Sequence, residues 1–527
     1  MPRMQRRDFL RRAFWGGAAT GAGWVAGVPA LAATRLKKPD FRTTPFRLGV
    51  ASGYPTEDGM ILWTRLVPEP IVEPALDDPD DIELIFEIAR DADFKRVVQR
   101  GLTRAEALFA HSVHHRVRGL APGQEYFYRF IAKDFVSPVG RSWTADRSGT
   151  PQTPLRIGIA SCQHYEQGYY HAWQHMVENG VDLVLHLGDY IYEGNTQRPV
   201  RAHDQGECQT LADYRRRYNW YRTDPLLMAA HAACPWLVTH DDHEVDNDYA
   251  GLQSERPEDQ AGFELRRAAA YQAYFEHMPL PREALLANNA LQLYLSQSLG
   301  SLLAIHMLDE RQYRSPQACP KPPRRGGSRV FVDECPEWYA ADRSLLGAAQ
   351  ERWFASSLQQ SKARWNLIAQ GVVLTLVDED PGPRQQHWND SWAGYPAARQ
   401  RLIDTVATSG APNPLFLGGD IHAFIAADQR KDPMDAKSPI VMSELVTTSI
   451  SSGPPPQKVI DAYNREDNHS VHFADGRYRG YLRLELDRNR LDATLIGFDS
   501  VRDETTASAR TLAEFHLLAD QPGLRPS

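Results

Sequence analysis

Four short apolar runs in this sequence end in side chains suited to metal ions. Ile157-Gly158-Ile159-Ala160-Ser161 ends in Cys162, and Leu183-Val184-Leu185-His186-Leu187-Gly188 ends in Asp189, with Tyr190, Tyr192 and Glu193 behind it. Trp236-Leu237-Val238-Thr239-His240 is followed by Asp241-Asp242-His243-Glu244, and Leu415-Phe416-Leu417-Gly418-Gly419 by Asp420-Ile421-His422. One carboxylate after a strand is ordinarily a helix cap or a solvated turn. Four such endings, each behind an apolar run, are hard to attribute to caps. In open α/β sheets, ligands gather beyond the carboxyl ends of the strands. Converging carboxylates would repel one another unless cations compensated them. A thiolate and a phenolate suit a highly charged iron, whereas aspartates suit hard divalent ions such as calcium or magnesium. The mixed set therefore points to unlike metals side by side. Two or more cations can activate water and neutralise the oxygens of a transferring phosphoryl group.

The elements that must hold these residues alternate. Between the apolar runs lie candidate helices at Tyr169 to Glu178, Leu211 to Tyr221, Phe263 to His277 and Ala348 to Gln360. Strand–helix alternation over residues 151–520 predicts an α/β domain. A late antiparallel hairpin is expected from Tyr481 to Leu486 and Leu491 to Phe498. Upstream, Ile82 to Ile88 and Tyr126 to Phe130 read as strands among Pro/Gly turns, predicting a small β-sandwich within residues 34–150. The stretch Arg147-Ser148-Gly149-Thr150-Pro151-Gln152 reads as a linker.

Composition sets limits. A chain of 527 residues exceeds what one core supports. The formal charge of −8 excludes a binder held to nucleic acid by phosphate neutralisation. Mean hydropathy of −0.49, with no spanning apolar run past the N-terminus, argues against membrane spans in the mature protein. Residues 1–33 read as an export signal: Arg6-Arg7-Asp8-Phe9-Leu10, an uncharged run from Ala13 to Val28, then Ala30-Leu31-Ala32. The paired arginines resemble a twin-arginine (Tat) signal, which implies the Tat machinery as partner and a periplasmic or extracellular destination. A single membrane anchor is the alternative.

Gly-Asp-Tyr-Ile-Tyr-Glu, Asp-Asp-His-Glu and Gly-Gly-Asp-Ile-His, in this order and after Ala-Ser-Cys-Gln, resemble the PhoD-type alkaline phosphatases of the metallophosphoesterase superfamily. The resemblance covers essentially the whole chain. It implies a four-layer αββα catalytic domain, and the Leu-x-Pro-Gly-x-x-Tyr-x-Tyr pattern looks like the corner of a fibronectin type III-like domain before it. It also implies an exported phosphatase or phosphodiesterase using Fe3+ and Ca2+, with hydroxide on the metals attacking phosphorus. Carried over by position, Cys162, Tyr192 and His422 would ligate ferric iron, with Asp189 bridging to a neighbouring metal. Asp242 and Asp420 would bind calcium, and Asp241 a second calcium. His243 would protonate the leaving alkoxide or orient phosphate, making His243, Asp242 and Asp189 the catalytic set.

Other positions carry two readings each. Arg311, after the apolar Leu302 to Leu308, either meets phosphate bidentately or forms a salt bridge. Gln370, where the superfamily has a histidine, either lines the site or ends a strand. His164, Tyr165 and Glu166 are pocket candidates without a role, and His186 and His240 read as core histidines. Trp388 and Trp392 belong either to a loop over the site or to ordinary packing.

If Cys162 is a metal thiolate, four of the five cysteines remain. Cys319 and Cys335 flank a Pro/Gly/Arg-rich segment that would benefit from a clamp, and a second bridge, Cys208–Cys234, is expected from the remaining pair. Two alternatives accompany the phosphatase reading. One is a phospholipase D-like diesterase acting on phospholipids; the other is a non-catalytic envelope protein stabilised by metal.

Overall fold

The structure is a computed structural model. It describes residues 36–67, 69, 73–203, 206–286, 290–505 and 507–527. The export signal expected at residues 1–33 lies outside the described residues. None of the described helices is long and apolar enough to cross a membrane.

Two large mixed sheets form the body of the molecule. One has ten strands, and its centre is Arg479–Leu486, Leu155–Ala160, Leu183–His186 and Pro235–Val238. The last three run parallel, whereas Arg479–Leu486 is antiparallel to Leu155–Ala160. The other sheet has seven strands, with Leu303–Met307, Trp365–Ala369, Pro414–Gly418 and Ile440–Val446 parallel in that order.

The period of two along a strand decides what each face covers. Leu367 and Leu417 point into a core shared with Ile157, Leu185 and Leu237 of the ten-stranded sheet. Their neighbours Ile368 and Phe416 turn the other way, onto Phe354, Leu358, Leu402 and Ile403 of the helices Gly347–Gln360 and Pro396–Ser409. Each such side chain, fully buried, contributes about 1.5–3 kcal/mol. Behind the ten-stranded sheet lies the helix His171–Glu178, whose Trp173 packs on Trp236 with ring centroids 4.7 Å apart. The candidate helices and strands fall within a few residues of their expected ends. The helices Pro225–Ala233, Pro396–Ser409 and Gln457–Tyr463 were not foreseen.

The N-terminal strands divide between two sheets. Asp81–Ala89 and Glu125–Ala132 belong to a separate six-stranded sheet. Val50–Gly53, Ile61–Arg65 and Ser112–Arg116 instead extend the ten-stranded sheet, with Ser52 in register with Pro235 and Gly53 with Trp236. Leu62 and Val113 share a core with Leu84, Phe86 and Phe130. The β segment is therefore continuous with the rest of the molecule through hydrogen-bonded backbone.

Cys319 and Cys335 form a disulfide. The bridge expected between Cys208 and Cys234 is absent, because both cysteines are free and buried in different surroundings. Cys208 lies near Glu193, Asp213 and Arg217, whereas Cys234, at the end of Pro225–Ala233, lies near Arg141 and Asp182. Burial pushes both thiols up to about 12, which makes them unreactive core residues.

Candidate metal centre

The carboxyl ends of the parallel strands in both sheets meet at one place. Cys162 follows Leu155–Ala160, Asp189 follows Leu183–His186, and Asp241 and Asp242 follow Pro235–Val238. Asp420 and His422 come from the other sheet, after Pro414–Gly418. Ligand atoms of Cys162, Asp189 and His422 lie within 4.8 Å of one another, as do those of Asp241, Asp242 and Asp420, and those of Asp189, Asp242 and His243.

The turns that deliver these side chains are strained. Cys162, Asp189, Asp420 and His422 have φ of 58°, 57°, 62° and 58°. Residues other than glycine seldom adopt such values, and each costs on the order of 1–3 kcal/mol. Gly188 has φ of 110°, and a Cβ there would lie 2.5 Å from the Asp241 Cβ. Only glycine lets the two strand ends approach this closely.

Glu244 ties the same two strand ends together. Its carboxylate accepts hydrogen bonds from the backbone N–H groups of Asp189 at 3.1 Å, Tyr190 at 2.6 Å and Asp241 at 2.9 Å. Tyr192 donates from its hydroxyl to Asp189 Oδ2 at 2.8 Å and lies 3.2 Å from His422 Nε2. His422 donates from Nδ1 to the Gly453 carbonyl at 2.7 Å, which turns Nε2 toward the centre.

The donor set fits cations. Asp189 Oδ1 and Asp241 Oδ2 are buried without a hydrogen-bond partner. Burial, and then the repulsion of Asp241 and Asp242, hold the Asp420 carboxyl well above the ordinary carboxylate range. The same causes raise Asp189 despite the opposing pull of His243. Bound cations would relieve both.

His243 is fixed by Glu193, to which Nδ1 donates at 2.7 Å. Burial disfavours the charged ring. Glu193, then Asp242 and Asp189, outweigh that effect and raise the pKa well above its ordinary value. The ring also packs on Tyr192, with centroids 4.1 Å apart.

Arg311 is placed differently from a phosphate-binding residue. It is fully buried beneath the carboxylates: Nε bonds Asp241, Nη1 lies 2.8 Å from Asp390 and Nη2 3.8 Å from Asp242. The salt-bridge alternative describes its contacts. Gln370 accepts from the Val372 N–H at 3.1 Å and donates back to the Val372 carbonyl, closing its own strand end. His164 stacks on Tyr192 at 4.4 Å, while His186 and His240 are buried in the core region. Trp392 is buried among core residues, but Trp388 lines the cleft.

That cleft opens over Asp189, Asp242, His243, Asp420 and His422. One wall carries Arg324, Arg329 and Trp388, the other Pro455, Pro456, Val459 and Tyr463. Sequence reasoning gave no role to Glu193, Glu244, Asp248, Asp390 or Ser452. Glu193 and Glu244 stand inside the motifs themselves, which was a usable signal. Asp248 and Asp390, whose carboxylates gather with Asp242, follow no apolar run and had none.

Residues 157–495 match the family described as PhoD-like phosphatase, and residues 31–146 match PhoD-like phosphatase, N-terminal domain. Alkaline phosphatase D of Bacillus subtilis (strain 168) is 39% identical over 534 residues, covering 99% of this chain and 90% of that protein. A solved structure described as "Structure of PhoD" aligns with a TM-score of 0.86 at 38% identity, covering 93% of each chain.

Proposed function

The chain belongs to the PhoD-like phosphatase family and is a phosphoric ester hydrolase, and we propose that its chemistry runs at the cluster just described. The observation that carries this reading is the meeting of seven expected ligands, Cys162, Asp189, Tyr192, Asp241, Asp242, Asp420 and His422, at the strand ends of two sheets. In this reading Cys162, Tyr192 and His422 would hold ferric iron, Asp242 and Asp420 would hold calcium, and Asp189 would be shared by the two. A second calcium ion would use Asp241 or the neighbouring set Asp242, Asp248 and Asp390. Such ions, when bound, make water nucleophilic and neutralise phosphoryl oxygens.

The chain's own residues supply the rest. His243, held charged by Glu193, is poised to give a proton to the leaving alkoxide, which is far more basic than the ester oxygen it came from. Arg311 pairs with both Asp241 and Asp390 and offsets the repulsion between them. Trp388 and the Pro455–Pro456 wall bound the space for the organic part of the substrate.

The domain reading is an export signal at 1–33, a β domain at 34–150 and a catalytic domain at 151–520. The shared core between two sheets, with helices outside them, supports a four-layer αββα catalytic domain. A fibronectin type III-like corner is supported by Tyr126, whose hydroxyl bonds the Ala121 backbone N–H at 3.0 Å. The twin-arginine pattern supports Tat export to the periplasm or beyond. A diesterase acting on phospholipids is the second reading, favoured by the apolar wall at Pro455, Pro456 and Val459. A non-catalytic envelope protein is set aside by family membership.

Metal analysis of the folded protein tests the site, with iron and calcium together expected. Turnover of a nitrophenyl monoester, its bis-ester and a phospholipid separates the substrate readings. Zinc in place of iron and calcium would overturn the metal assignment.

A further inference from the structure

The strand Ile440–Val446 runs beside Pro414–Gly418 and leads into Thr447-Thr448-Ser449-Ile450-Ser451-Ser452-Gly453. This segment crosses from one large sheet to the other. Ser449 is bridged to Ser161, and its carbonyl accepts from the Gly480 N–H at 2.9 Å. At its end, the fully buried Ser452 sits among Cys162, His164 and Tyr192. Its hydroxyl oxygen lies 2.8 Å from the Tyr192 hydroxyl and 2.8 Å from the Cys162 carbonyl, and accepts from the His164 N–H at 3.2 Å.

A hydroxyl has a single proton to give. With two acceptors in reach, it goes to whichever oxygen carries more negative charge. When Tyr192 binds a cation, its oxygen is anionic, and the bond from Ser452 becomes charge-assisted and stronger than one to a neutral carbonyl. The buried Arg479 holds this arrangement from behind, donating to the Ser452 carbonyl at 2.7 Å and the His422 carbonyl at 3.0 Å. One guanidinium thus fixes the segment that carries Ser452 and the backbone of the candidate ligand His422.

We propose that Ser452 is a positioning residue for the metal centre, donating a hydrogen bond to the Tyr192 ligand oxygen, with Arg479 holding it in place. This rests on the iron reading given under Proposed function. A structural role alone would confine Ser452 to closing its loop. Its neighbour Ser451 separates the two, because Ser451 Oγ donates to the His164 carbonyl at 2.9 Å and has no such bond to Tyr192.

The test uses the full-length, iron-loaded protein and its visible charge-transfer band. Donation to the ligand oxygen lowers the filled orbital from which the electron is excited, so its loss shifts the band to longer wavelength. Ser452→Ala is expected to show that shift and to lower iron affinity by about 10- to 100-fold. Ser451→Ala is expected to keep the wild-type band and affinity. An unchanged band and affinity in Ser452→Ala, or equal shifts in both variants, would overturn the proposal and leave the iron reading intact. A wild-type protein without iron or colour would overturn the iron reading and this proposal with it.

Discussion

His243 donates from Nδ1 to Glu193 Oε2 across 2.7 Å, which leaves Nε2 as the ring atom available to the cleft. Glu193 is itself fixed, since its other oxygen accepts from the Asn247 N–H at 2.9 Å. Charge and orientation of the imidazole therefore share one cause.

Replacing Glu193 by Gln keeps the shape of that contact but removes its charge. The expected result is a fall in kcat of about 10- to 100-fold on an alkyl phosphate. On a nitrophenyl ester the loss should be smaller, because nitrophenolate leaves without needing a proton. Steady-state kinetics on the two substrates give the comparison, and equal losses would speak against His243 as the proton donor.

Asp189 occupies the centre of the cluster, with Oδ2 accepting from Tyr192 and Oδ1 buried without a partner. Asp189→Asn removes the charge and one oxygen acceptor. Activity should fall at least about a hundredfold, while circular dichroism stays that of the folded protein because the backbone bonds to Glu244 remain. Substantial residual turnover would place the chemistry elsewhere.

The strand-end residues were legible because each follows an apolar run that the sheet must bury. Gly188 and Gly419 mark the tight turns beside them. Ser452 was not legible, because it lies 260 residues from Tyr192 and only the pairing of Ile440–Val446 with Pro414–Gly418 brings it there. Arg311 was ambiguous for a related reason. A guanidinium after a strand serves phosphate or carboxylate equally well, and the choice depends on Asp390, a residue no local pattern marks. The Cys208–Cys234 bridge failed because an even count of cysteines carries no information about distance.

Calcium removal should inactivate the enzyme and also destabilise it. Asp242, Asp248 and Asp390 gather in one place, and Arg311 and Arg314 neutralise only part of that charge. Treatment with a calcium chelator is expected to abolish turnover and lower the melting temperature. Readdition at a hundred times the dissociation constant should return about 2.7 kcal/mol of stability. Restoration by zinc alone would contradict the assignment.

The disulfide Cys319–Cys335 closes the segment that carries Arg324, Gly327 and Arg329 along one wall of the cleft. Gly327 donates its N–H to Asp248 Oδ2 at 2.8 Å, so the clamp reaches the acidic cluster. A Cys319→Ser, Cys335→Ser double variant is expected to lose about 3 kcal/mol of stability. It should also raise KM more than it lowers kcat, because the loop shapes the cleft rather than the reacting atoms. Calorimetry and kinetics on the same preparation would measure both.

Acid sensitivity should come in part from His186, which burial depresses to about 3 in the folded protein. Its ring packs beside the Trp173–Trp236 pair, with centroids 6.1 and 6.0 Å from the two indoles, and its Nε2 has no hydrogen-bond partner. Above the unfolded value of about 6.5, both states carry a neutral ring and the group contributes nothing to pH dependence. Below it, the unfolded chain binds a proton that the folded chain refuses. Stability therefore falls as pH drops, by about 1.4 kcal/mol per unit, and levels off only near the folded value. His186→Phe removes the titrating base while keeping a flat ring beside the two tryptophans. Unfolding free energies of the two proteins, measured from pH 7 to pH 4, should diverge in favour of the variant by that slope. Taking the difference cancels the carboxylates common to both, and parallel curves would show that His186 is protonated in the folded state.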